Sequence, residues 1–175
     1  MKQGRIIKIY SVLSLLSLFL VACQNVIPKE EGFTLSPETL RDRQLQTRTF
    51  ETDDEMQVLT ASAALLQDLG FNINKSEVKC GVIVASRYRD LRPSYGVIML
   101  KNFLKEPYNT HEKVMASLVT RPLDDKRTAV RVTFQHMVWR SNKTMAKNEQ
   151  INEPEIYRQF FSKLSTSLFL TAHEI

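Results

Sequence analysis

Lys113-Val-Met-Ala-Ser-Leu-Val-Thr120 and Ala129-Val-Arg-Val-Thr-Phe-Gln-His-Met-Val-Trp-Arg140 are the two stretches on which the reading of the fold turns. In the first, Val114, Ala116 and Leu118 alternate with Met115, Ser117 and Val119; in the second, Val130, Val132 and Phe134 alternate with Arg131, Thr133 and Gln135. A period of two places one set of side chains on a core and the other in water, as in an antiparallel sheet covered on one face. Pro122-Leu-Asp-Asp-Lys126 lies between them as a turn, so the two runs are predicted to pair. Trp139 falls on the polar face of its strand unless a bulge near His136 turns it inward.

Working outward, residues 52–70 change from strand to helical spacing. Thr52 with Glu55 matches a capping box, Asp53 and Asp54 favour the positive helix end, and Val58, Leu59, Ser62, Leu65, Leu66 and Leu69 form one stripe. Gly70 supplies a left-handed stop. Residues 45–51 alternate weakly before that helix. After it, Phe71 and Ile73, then residues 82–85, flank the polar turn Asn74-Lys-Ser-Glu77 and read as a hairpin. Cys80, at that junction, reads as a buried or half-buried small hydrophobe. A second helix follows Asn152 and Glu155 as caps, with Pro154 in its first turn and Ile156, Tyr157, Phe160, Phe161, Leu164, Leu168 and Phe169 as its apolar stripe. The fold class is therefore α+β: an antiparallel sheet of about four to five strands with two helices on one face, in the order β-α-β-β-β-β-α.

Residues 88–109 leave two readings open. They begin polar (Arg89, Asp90, Arg92, Pro93), turn apolar and stop at Pro107. One reading is a short helix packed on the domain. The other is an exposed patch in which Tyr95, Val97, Ile98, Leu100, Phe103 and Leu104 face a partner.

The amino terminus carries Lys2, Arg5 and Lys8, then an apolar run broken only by serines. From residue 9 to residue 22 that run is 14 residues long, short of the roughly 20 needed to cross a bilayer as a helix, and it reads as a secretory signal peptide. Its end, Leu20-Val21-Ala22-Cys23, resembles the lipobox of bacterial lipoproteins. The resemblance implies cleavage between Ala22 and Cys23, a diacylglycerol on the Cys23 sulfur and an acylated new amino terminus, with the outer membrane favoured because Gln24 rather than Asp follows. Several acyl chains hold a protein on a membrane without any spanning helix. The expected organisation is a signal peptide at 1–22, a lipidated tether at 23–44 with Pro28, Gly32 and Pro37 as breakers, and one α+β domain at 45–175.

Two further resemblances concern the domain. The element order, with Leu-Gly-Phe-Asn-Ile at 69–73 leading to Gly-Val-Ile-Val-Ala at 81–85, is similar to the helix-grip modules of a lipoprotein in the outer-membrane β-barrel assembly machine. Leu-Gln-Asp-Leu-Gly-Phe (66–71), Arg-Val-Thr-Phe-Gln (131–135) and the run Pro-Glu-Ile-Tyr-Arg-Gln-Phe-Phe-Ser-Lys-Leu-Ser (154–165) resemble a group of uncharacterised proteobacterial lipoproteins. Those likenesses imply a lipidated envelope protein and name no activity.

The formal charge of +5 falls to +2 once the three leader cations are removed, which takes away most of the compositional argument for nucleic-acid binding. His111, His136 and His173 are far apart, with no metal-ligand spacing. No Gly-x-Ser-x-Gly elbow or phosphate-cradling glycine loop occurs, and the pairs Asp53-Asp54 and Asp124-Asp125 are accounted for by a cap and a turn. The sequence thus carries the expectation of a non-catalytic scaffold or accessory lipoprotein of an envelope complex, without cofactor or metal. Its attachments would be the membrane, through the Cys23 anchor, and an envelope protein partner. The alternative is a carrier of a small apolar ligand or lipid, and a third reading, an envelope hydrolase, would need converging His and carboxylate groups.

Overall fold

The long alternating runs form the two central strands of one sheet. In the computed structural model residues 37–173 are described; the leader, Ala22 and Cys23 lie outside them. The chain order is α1 (Pro37–Leu45), β1 (Thr47–Phe50), α2 (Glu55–Asp68), β2 (Asn72–Glu77), a single 3-10 turn (Val78–Cys80), β3 (Val82–Asp90), α3 (Tyr95–Phe103), β4 (Asn109–Asp124), β5 (Arg127–Arg140), β6 (Met145–Ile151) and α4 (Pro154–His173). The class is α+β, with six antiparallel strands in the order β1-β5-β4-β3-β2 and β6 also on β5. At 14 residues, β5 runs for roughly 45 Å at about 3.4 Å per residue. It therefore holds two short strands end to end on one side, β1 along 128–131 and β6 along 134–139.

Cross-strand register sorts the side chains. Leu118 faces Val132 and Ile83, and Ala116 faces Phe134 and Ala85, so all of these share the face on which α2 and α4 lie. Val58, Leu59, Leu65 and Leu66 of α2 and Tyr157, Phe160, Phe161 and Leu164 of α4 complete this core. Phe134 sits at its centre. Its ring centroid lies 6.1 Å from Phe71, 5.7 Å from Tyr157 and 5.7 Å from Phe160, the last edge-on, the geometry that aromatic quadrupoles favour. Tyr157 remains buried because its hydroxyl donates to the Ile151 carbonyl at 2.5 Å.

Local chemistry corrects several expectations. Helix α2 begins at Glu55 rather than Thr52: Asp54 is the cap and accepts from the Gln57 N–H at 2.8 Å. Thr52 accepts from the Asp54 N–H, while Glu55 reaches out of the helix to accept from the buried Thr120 hydroxyl at 2.7 Å. The expected capping box is thus replaced by a tie from α2 to β4. The hairpin turn also moves, since Asn74 to Glu77 belong to β2 and the reversal falls at Val78–Cys80. Gly81 closes it with φ +62°, where a β-carbon would collide with the Thr120 hydroxyl and lie 2.6 Å from Glu55 Oε1. Cys80 is exposed on this turn rather than buried. Asn152 does not cap α4; its side chain donates to Asp42 at 3.1 Å and accepts from Gln150 at 2.9 Å.

Two elements go beyond the expected order. Strand β6 is largely polar and directs Ile151 to the core, opposite Phe134. Helix α1 occupies the carboxyl end of the stretch read as tether, with Pro37 as its first residue, a position where the missing N–H costs nothing.

Phe134→Ala is expected to destabilise the domain by about 3 to 5 kcal/mol, because it empties the point on which Phe71, Tyr157 and Phe160 converge. Urea unfolding followed by circular dichroism checks this; a loss below about 1 kcal/mol would remove Phe134 from the centre of the core.

Candidate functional site

At one end of the sheet β3 leaves the core and the chain makes its long excursion to β4. Asp90, the last residue of β3, accepts from the Arg92 guanidinium Nε at 2.9 Å and from the Arg92 backbone N–H at 2.9 Å. Such a charge-assisted, forked pairing fixes the exit direction. Leu91 N–H then donates to the Thr110 carbonyl at 2.9 Å, joining the exit to the returning strand. Helix α3 starts after Ser94 and ends at Leu104; Lys105, at φ +57°, reverses the chain, and Glu106 N–H donates to the Lys101 carbonyl at 2.8 Å. On the return, Tyr108 and the β5–β6 turn exchange bonds through Ser141: Ser141 N–H to the Tyr108 carbonyl at 2.8 Å and Tyr108 N–H to Ser141 Oγ at 3.3 Å.

These clasps hold up a helix of nine residues of which none is buried. Isolated helices this short are unstable in water, so α3 depends on its fastened base. Tyr95 is 76 % exposed and Phe103 84 %, and Val97, Met99, Leu100 and Leu104 are exposed too. Only Ile98 and Lys101 are half-buried. Both halves of the open reading are therefore combined: residues 95–103 are a helix, and that helix carries an uncovered apolar surface. Of the six candidate partner residues, five are exposed and Ile98 is turned partly inward.

Near the exit of β3 and the return of β4 the sheet is stiffened by side chains that the sequence left unassigned. On the face away from α2 and α4, His111 stacks on Trp139 at 4.9 Å between ring centroids and 12° between planes, and the Lys113 ammonium lies 5.2 Å from the Tyr88 ring centroid. Trp139 is thus on the face opposite the core, as alternation alone placed it. On the core-bearing face, Glu112 bridges Arg89 Nε at 2.7 Å and His136 Nε2 at 3.0 Å. Both carboxylate oxygens are engaged, and no hydroxyl or thiol bonds His136 among the described residues, so the trio has the form of a structural bridge. Only cross-strand register brings Glu112 opposite Val138 and beside His136, a pairing no sequence spacing displays. Among the described residues, no three His, Cys, Asp or Glu side chains gather as a metal site, and no helix is long and apolar enough to cross a membrane.

A scan against protein-family models finds no match for the chain. A search of the curated proteins finds no relative either.

The hydrogen bonds from Arg92, side chain first and backbone second, lower the Asp90 pKa from 3.8 to about 2. A depressed carboxylate contributes stability above its unfolded value and loses it as pH falls through the folded one, so the clasp at the base of α3 persists through the neutral range and opens near pH 2. Carbon-13 NMR of the Asp90 carboxyl is expected to titrate near that value, returning to about 4 in Arg92→Ala; an unaltered titration in the variant would detach Asp90 from Arg92.

Proposed function

We propose that this chain is a membrane-anchored bacterial lipoprotein, held by acyl and diacylglycerol groups on Cys23 at the periplasmic face of the outer membrane, and acting there as a non-catalytic scaffold or accessory subunit of an envelope complex. The observation that carries this reading is α3: an apolar helix, fixed at both ends, that the domain itself does not cover. Exposed apolar surface costs about 25 cal/mol per Å² relative to burial, and a contiguous patch of it marks an interaction surface. Exposed Tyr95 and Phe103 provide the large aromatic anchors that carry most of the energy in protein interfaces. The lipobox residues support the location, and the domain's own core leaves α3 free to serve a partner.

Leu100→Asp with Phe103→Asp is expected to reduce recovery of crosslinked partner from intact membranes at least tenfold while leaving the unfolding free energy within about 0.5 kcal/mol of the parent, since both side chains are exposed. A photo-crosslinking residue at position 103 gives the direct readout, and Cys23→Ser is expected to release the chain from the membrane fraction. Recovery as a solitary monomer from gently solubilised membranes would overturn the scaffold reading.

A second reading has its own observation. Between the two core helices and the sheet lies a half-open cleft of about 250 Å³ lined by Leu69, Phe71, Val114, Phe134, Ile151, Ile156 and Phe160, with Arg87 and Lys163 also on its wall. Apolar walls with cations among them suit a small amphiphile with an anionic head. Native mass spectrometry of the full chain is expected to retain such an acyl ligand if the protein is a carrier, with the adduct lost in Phe160→Trp; an adduct-free spectrum ends that reading.

A further inference from the structure

The sheet face away from α2 and α4 carries an arrangement that neither reading uses. Thr47 of β1 pairs with Arg131 of β5, Arg131 pairs with Val119 of β4, and Ala129 pairs with Arg121. With strand pairs in register, these five side chains lie side by side on one face. Arg43, near the end of α1, joins them, and together they line a depression of about 400 Å³.

Three guanidinium groups thus line one small concavity, and among the described residues no carboxylate pairs with any of them. Arg131 reaches only the neutral Gln46, donating to its Oε1 at 3.2 Å, and its Nε is buried with no acceptor. Burial and then repulsion from Arg43 push the Arg131 pKa down from its ordinary value. Like charges held together with a buried donor unmet are costly unless a counter-charge completes them. Elsewhere in the domain, exposed arginines do have partners: Arg89 with Glu112, Arg92 with Asp90, Arg127 with Asp124 and Arg158 with Glu155. Arg48 and Arg87 instead lie over the Phe161 and Phe71 rings, so what sets this depression apart is three guanidinium groups gathered around one concavity without a carboxylate.

We propose that the depression is an anion site, in which Arg43, Arg121 and Arg131, with the Thr47 hydroxyl, bind a phosphate-class oxyanion. Guanidinium groups present planar forks that match the oxygens of a phosphate in pairs, and Thr47 adds a neutral donor. A bound oxyanion would meet the Arg131 Nε–H and relieve the repulsion between Arg43 and Arg131. It would also bridge α1 to β4 and β5. The source can be free phosphate or a phosphorylated lipid headgroup; the recognising chemistry is the same.

Titrating inorganic phosphate into the full-length chain in non-ionic detergent, with chloride at matched ionic strength as reference, tests this. The expected result is a saturable rise in unfolding temperature with phosphate alone, and an affinity about tenfold weaker in Arg121→Gln, the loss of one charged hydrogen-bonding partner. Lys75→Gln, an equal charge change at an exposed position of β2, is expected to leave the affinity unaltered. Vesicles of phosphatidic acid against phosphatidylcholine separate the headgroup source: tighter, Arg121-dependent binding to the former assigns it to lipid, and no preference assigns it to soluble phosphate. The double variant Glu30→Gln, Glu31→Gln tests whether the chain's own acids compete, in which case phosphate binds it more tightly than the parent. No saturable phosphate response in either the parent or that variant, or one that Lys75→Gln weakens as much as Arg121→Gln, would overturn the site.

Discussion

The packing of three aromatic rings around Phe134 is the constraint from which the domain's layout follows. Phe134 lies at the middle of the longest inner pair of strands, and its neighbours come from the chain after α2, from α4 twice, and through Ile151 from β6. Segments far apart in sequence must therefore converge on one side chain before any of them is buried. Interiors packed to crystal-like density do not tolerate loose convergence. This accounts for the polar fastenings that surround the rings: Tyr157 to the Ile151 carbonyl, Glu55 to Thr120, and Thr128 to the Thr52 carbonyl at 2.8 Å.

Where the core selects side chains, the sequence announces the fold. Val114, Ala116 and Leu118 in β4, Val130, Val132 and Phe134 in β5, and the stripes of α2 and α4 all show their period because each inward position is pressed against another element. Where nothing presses, the signal fades. Strand β6 runs Met-Ala-Lys-Asn-Glu-Gln-Ile and directs only its last residue to the core, so its pattern records little more than solubility. Helix α1 has polar residues around its circumference and a proline at its start, which in isolation reads equally as a break. The misplaced cap of α2 has a different cause: Thr52 and Glu55 have the right spacing, but a tertiary acceptor pair, Glu55 with Thr120, wins over the local one.

The candidate surface was legible in composition and not in form. Seven apolar residues between Tyr95 and Leu104 are conspicuous in any reading, yet whether they face inward depends on the clasps at Asp90–Arg92 and Tyr108–Ser141, the latter joining residues 33 apart. The arginine depression was invisible for the same reason. Arg121 and Arg131 meet across the β4–β5 pairing, and Arg43 arrives from α1, far away in sequence. Charge spread evenly along a sequence says nothing about charge gathered on a surface.

The placement of β1 and β6 end to end along β5 has a mechanical side. The seam between them falls at residues 132–133, and it is there that the chain enters the sheet, with the Gln46 carbonyl accepting from the Val132 N–H at 2.9 Å. Tension drawn in from the amino-terminal side would pass through α1 and its Asp42–Asn152 contact and then act on a strand of only four pairs. Such a ribbon yields by unzipping from Thr47 while the β3–β4–β5 block keeps its ladder. The entrance to the sheet is thus its shortest ladder, four pairs against at least five at every other seam.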